Sequence, residues 1–155
     1  MIFYTDGSAN TKNRYGGFGV VGVNESFDAL EFIVHKESLE PTTNNREELK
    51  AILWVLENYG NTLKNDFFIP VVYSDSNYSV QTYNEWMENW AQNGWIKSDK
   101  KTPENLDLIK RMYDLKHSGY MIDLHHIKGH AGHKWNELAD RLAKGEVTSL
   151  NGYKD

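Results

Sequence analysis

The chain has 155 residues, no cysteine, 39% apolar and 13% aromatic side chains. That composition excludes a disordered chain, a disulfide scaffold, a thiolate metal site and a thiol nucleophile, and it suits one domain with one core. The net charge of −5, from 17 basic and 22 acidic residues, argues on its face against a protein that tracks nucleic-acid backbones. The imbalance is local: residues 1–80 hold 6 Lys+Arg against 11 Asp+Glu, while residues 81–155 hold 11 of each. No apolar run reaches the length of a membrane span. Only Met1 precedes the first apolar segment, so no signal peptide is expected and a cytoplasmic protein is.

Residues 2–5 are aromatic and β-branched and predict a strand ended by Asp6-Gly7-Ser8. Residues 18–23 predict a second strand and residues 30–37 a third, joined as an antiparallel meander. Thr43 is a suitable N-cap for a helix to about Tyr59, stopped by Gly60. Leu49, Ile52, Leu53 and Leu56 form its apolar stripe. Residues 69–74 predict a buried strand ended by Asp75. A helix over 77–92 carries Val80, Tyr83, Trp86, Met87 and Trp90 on one side. A helix over 104–118, a strand over 120–127 and a helix from about Lys134 to Lys144 complete the order. Residues 1–145 are expected as one domain and 146–155 as a polar tail. Long links between the later strands favour a five-stranded mixed sheet with flanking helices, an α/β fold.

Four carboxylates hold unusual positions. Asp6 and Asp75 fall at the carboxyl ends of strands, where open α/β sheets build sites. At about 100° per residue, Glu48 flanks the apolar stripe of its helix and Glu47 points to solvent. Asp140 borders the stripe Trp135, Leu138, Ala139, Leu142, Ala143 of the last helix. Singly, each has an ordinary role, as a turn residue or as a partner of the helix dipole. Together they form a set of hard oxygen donors suited to Mg²⁺ or Mn²⁺.

In chain order come Tyr4-Thr5-Asp6-Gly7-Ser8, Gly16-Gly17-Phe18-Gly19, Thr42-Thr43-Asn44-Asn45-Arg46-Glu47-Glu48-Leu49, Ser74-Asp75-Ser76-Asn77-Tyr78, Lys128-Gly129-His130-Ala131-Gly132-His133 and Asn136 with Asp140. Over roughly residues 2–145 this pattern resembles ribonuclease H of type 1. The resemblance implies an RNase H-like fold and an endonuclease that cuts the RNA strand of an RNA/DNA hybrid, leaving 5′-phosphate and 3′-hydroxyl ends. It implies Asp6, Glu48, Asp75 and Asp140 as ligands of two Mg²⁺ ions per site, with Mn²⁺ as a substitute, and His130 as the loop histidine that aids proton transfer or product release. For substrate, it implies Ser8, Asn44, Asn45 and Asn77 near the RNA 2′-hydroxyls, Thr43 and Asn105 on a DNA-strand phosphate, and Trp86 against DNA sugars. Asn77 stands where many relatives have Gln.

The partner implied is RNA/DNA hybrid, bound by a monomer with no obligate protein partner and no membrane. Two departures are visible. Residues 10–15 read Asn-Thr-Lys-Asn-Arg-Tyr where the family often has Asn-Pro-Gly. The segment 84–104 has the length of the family's basic protrusion, yet sets Lys97, Lys100 and Lys101 against Glu85, Glu88, Asp99 and Glu104. Two other readings stay open on the residues alone: a catalytically weak hybrid-binding protein, and another nuclease of the same fold.

Overall fold

A computed structural model of the chain describes residues 1–129 and 133–150. The elements are β1 (Ile2–Ala9), β2 (Gly16–Val23), β3 (Leu30–Glu37), α1 (Asn44–Tyr59), β4 (Val71–Ser74), α2 (Asn77–Gln81), a π-helical turn (Thr82–Trp86), α3 (Met87–Gln92), α4 (Leu106–Lys116), β5 (Asp123–His126) and α5 (Lys134–Ala143). They build a five-stranded sheet in the order β3-β2-β1-β4-β5. β3, β2 and β1 run antiparallel, whereas β4 pairs parallel with both β1 and β5. This is the mixed α/β sheet that the alternation of short and long links predicts.

The strand period of two divides β1 between two cores. Phe3 joins Leu49, Ile52, Leu56 and Val72, together with Ile109 and Met112 of α4. Ile2 and Tyr4 join Trp135, Leu138 and Leu142 of α5. The helices therefore take opposite faces of the sheet, α1 and α4 on one and α5 on the other. Val147 is 2% exposed in the second core, so the polar stretch after Gly145 contributes a packed side chain. Among the described residues no helix is long and apolar enough to cross a membrane.

Three expectations differ from what is found. β1 does not end at Asp6: it runs on to Ala9, with Asp6 paired to Gly19, Gly7 to Phe18 and Ser8 to Gly17. The Asp-Gly-Ser run, a turn signal in isolation, is held extended because glycine-rich β2 supplies a full ladder beside it. Glu47 does not face solvent: it is 0% exposed. Thr42 Oγ1 donates to Glu47 Oε2 at 2.7 Å and Lys50 Nζ reaches the same oxygen at 3.0 Å. Those two partners offset part of the cost of burying a carboxylate. Third, the helix over 77–92 is interrupted by the π turn, which shifts its register. Tyr83 and Met87 enter the core, while Trp86 and Trp90 stay half-buried and line a groove with Tyr78 and Asn45.

Candidate active site

The site forms where pairing between β1 and β4 stops. Thr5 opposite Ser74 is their last parallel pair, so Asp6 and Asp75 emerge side by side. Glu48 enters from the first turns of α1. Its approach is set by Gly7: a Cβ built there would lie 2.2 Å from the Glu48 backbone nitrogen and 2.3 Å from the Glu47 carbonyl carbon. Only a hydrogen at that position lets helix and strand backbones touch. Gly129 plays a similar part beyond β5, where an added Cβ would sit 2.8 Å from Asp75 Oδ2.

The ligand oxygens of Asp6, Glu48 and Asp75 lie within 4.8 Å of one another. Asp6 is 5% exposed and Glu48 7%, and Asp75 is half-buried. Burial is the main reason that the Asp6 carboxyl is pushed up to about 7 from an ordinary 3.8. A hydrogen bond from Glu48 opposes the rise, while the charges of Asp75 and Asp140 and a hydrogen bond to Asp140 reinforce it. Glu48 is pushed well above the usual carboxylate range, again chiefly by burial and then by Asp6. Both shifts favour the protonated forms of the metal-free pair.

Asp140 stands outside the triple cluster. Its Oδ2 meets Lys144 Nζ at 3.1 Å, one helical turn on, and this bond holds the lysine pKa above its ordinary value. Asp6 thus feels Glu48 on one side and Asp140 on the other, and Asp140 in turn meets the Lys144 ammonium. Lys144 has no place in the sequence reading, although its i,i+4 spacing from Asp140 is the available signal.

The residues fit a divalent cation. Glu48 Oε2 is buried without a hydrogen-bond partner, and the donors are all hard carboxylate oxygens.

These shifts set a pH dependence. The folded chain keeps the Asp6 proton to a higher pH than the unfolded chain does. Stability of the metal-free protein is therefore expected to fall as pH rises from about 4 through about 7, with the raised Glu48 carboxyl working in the same direction. Thermal melts in chelator across that range check the direction. A rise in melting temperature over the interval would show that the pair is not protonated in the fold.

The substrate-reading residues divide into groups. Thr43 is the N-cap of α1, its Oγ1 accepting from the Arg46 N–H at 3.1 Å. Asn44 is tied to the end of β1, its Oδ1 accepting from the Ala9 N–H at 2.6 Å. Thr43, Asn44 and Asn45 line a groove of about 390 Å³ with Asn10, Thr11 and Arg14. Ser8 is half-buried in β1 and Asn77 is exposed at the start of α2. Asn45 and Trp86 line a second groove of about 560 Å³ with Tyr78, Trp90 and Lys97. Asn105 is the half-buried N-cap of α4. His130 lies outside the described residues.

Residues 1–148 match the RNase H family, and the chain belongs to it. A ribonuclease H of Marinobacter nauticus is 38% identical over 152 residues, covering 98% of this chain and 97% of that one. Another, from Pseudoalteromonas atlantica, is 39% identical over 145 residues, covering 91% and 86%. Among solved structures, the RNase H domain of PFV matches with a TM-score of 0.68 at 23% identity, covering 92% of this chain and 90% of that one, a likeness of fold.

Proposed function

We propose that this protein is an endoribonuclease that cleaves the RNA strand of RNA/DNA hybrids, leaving 5′-phosphate and 3′-hydroxyl ends. The observation that carries this reading is the convergence of Asp6, Glu48 and Asp75 oxygens around a buried, unpartnered Glu48 Oε2, within an RNase H fold. Asp6, Glu48, Asp75 and Asp140 would hold Mg²⁺, two ions per site, with Mn²⁺ as a substitute. Bound there, such ions supply an activated water and stabilise the leaving 3′-oxygen. The chain's own residues do the rest. Asp6 and Glu48 give up their shared protons and become ligands, and Lys144 steadies Asp140 until then. Gly7 sets the spacing of Glu48 by close backbone approach, and Gly129 leaves room for the Asp75 side chain. His130, four residues before Lys134 in the chain, moves a proton or helps the product leave.

Ser8, Asn44, Asn45 and Asn77 read the RNA 2′-hydroxyls on this proposal. Thr43 and Asn105 hold a DNA-strand phosphate, and Trp86 lies against DNA sugars. Residues 1–145 serve as the catalytic domain and 146–155 as its tail, in a cytoplasmic monomer.

Labelled RNA/DNA hybrid, double-stranded RNA, single-stranded RNA and double-stranded DNA, each incubated with the protein and Mg²⁺, test the reading. Cleavage of RNA in the hybrid alone, lost in Asp75→Asn, is expected. Binding without cleavage would make the chain a silent hybrid binder, and cut DNA would make it a different nuclease of this fold.

A further inference from the structure

Arg46, in the first turn of α1, spends most of its guanidinium on α4. Its Nη1 and Nη2 donate to the two carboxylate oxygens of Asp107 at 2.9 and 2.7 Å, a planar fork on a planar acceptor. The same Nη1 also reaches Asn105 Oδ1 at 3.4 Å. Asn105 is unusual in its own right. It takes a left-handed backbone, φ 59° and ψ 30°, at the N-cap of α4, and its side chain makes no capping bond to that helix. Its amide instead spans two elements: Oδ1 faces Arg46, and Nδ2 faces the Tyr78 hydroxyl of α2 at 3.4 Å.

The orientation of that amide follows from chemistry. A guanidinium has donors and no acceptor, so the side of Asn105 that meets Arg46 must be the carbonyl oxygen. The NH₂ group is thereby turned toward Tyr78, whose ring lines the groove with Asn45 and Trp86. Phosphate oxygens only accept. With Oδ1 on Arg46, Asn105 gives one N–H to the Tyr78 hydroxyl and keeps the other for a phosphate; an asparagine free to flip would present its oxygen, and repulsion, half the time. Because Asp107 occupies the fork, the guanidinium is held in place and largely neutralised.

We infer that Arg46 is a positioning residue for hybrid binding: anchored by Asp107, it fixes the Asn105 amide with its NH₂ presented to the DNA strand. This role rests on the placement of Asn105 at a DNA-strand phosphate proposed above. The hydrogen bonds are long, so the control is one of orientation more than of strength.

Steady-state cleavage of a hybrid with Mg²⁺ tests it, with Arg46→Met, Arg46→Lys, Asn105→Ala and the Arg46→Met/Asn105→Ala pair. Asn105→Ala is expected to raise KM roughly tenfold, the scale of one hydrogen bond to a charged group. Arg46→Met should raise KM by a similar factor, with kcat changing much less, and Arg46→Lys should recover part of the loss. In the Asn105→Ala background, Arg46→Met should add nothing. Thermal melts check that the variants fold; an exposed ion pair of this kind contributes little to stability. If Arg46→Met raises KM equally with and without Asn105, Arg46 acts by another route and the inference is overturned. The same holds if Asn105→Ala raises KM while Arg46→Met does not. If Asn105→Ala itself leaves KM unchanged, the phosphate role of Asn105 fails, and the role of Arg46 with it.

Discussion

Replacing Asp6 with asparagine is expected to move activity and stability in opposite directions. Cleavage of the hybrid should drop by roughly 10²–10³-fold or more, the scale on which loss of one charge-stabilising group at a reacting centre registers. The metal-free fold should become more stable at pH 8. Asp6 is 5% exposed beside a Glu48 that is 7% exposed, and its carboxyl is pushed up to about 7 by that burial. Holding it ionised above that pH works against folding by at most about 4 kcal/mol, from the separation of the folded and unfolded pKa values. An amide removes the charge and keeps the size. The melting temperature in chelator should rise by several degrees. Saturating Mg²⁺ should narrow or reverse the gap, because only the wild-type site gains fully from the ion. Full cleavage by Asp6→Asn, or a lower melting temperature for it in chelator at pH 8, would remove Asp6 from the role assigned here.

Gly7→Ala is the second large effect. The added methyl carbon would meet the Glu48 nitrogen at 2.2 Å and the Glu47 carbonyl carbon at 2.3 Å, and both are backbone atoms that no rotamer change can move aside. α1 has to shift away from β1, and the Leu49, Ile52 and Leu56 packing against Phe3 shifts with it. Overpacking of this kind costs about 1–3 kcal/mol, occasionally more. Relocating the Glu48 oxygens by even 1 Å should cost cleavage about 100-fold. Activity is therefore expected to fall far more than the residual folded fraction explains. Denaturant titration and cleavage rates on the same preparation separate the two. A variant that melts normally and cleaves normally would show that the strand–helix contact does not set the carboxylate spacing.

Most of the sheet could be read from local pattern. The third strand matches residue for residue, and Thr43 and Gly60 bracket α1 as expected. Asp6, Glu48 and Asp75 do meet, although nothing in their spacing along the chain requires it. What local pattern misses depends on contacts between distant segments. The extension of β1 past Asp6 needs the glycines of β2. The burial of Glu47 needs Thr42 and Lys50, since helical periodicity assigns a lone carboxylate to water by default. The π turn at 82–86 leaves no period-3.6 trace, so periodicity alone sets Trp86 beside Tyr83 and Met87, whereas it lines the groove. Gly129 carries no local mark of its contact with Asp75.

The neighbourhood of Glu48, Asp6, Asp140 and Lys144 bears on the acidic first half of the chain. Burial favours the protonated forms of Asp6 and Glu48 in the metal-free site, and the Lys144 ammonium offsets the charge of Asp140, so the four carboxyls repel one another less than four free charges would. A cation arriving at these oxygens would have to displace such protons and loosen that lysine. If the site takes a divalent cation as proposed, uptake would release protons, and affinity for the ion would climb with pH through the interval in which the empty fold weakens. On the proposed function the site would then exchange protons for metal: alkalinity would load it, and the bound ion would return the stability that deprotonation removes.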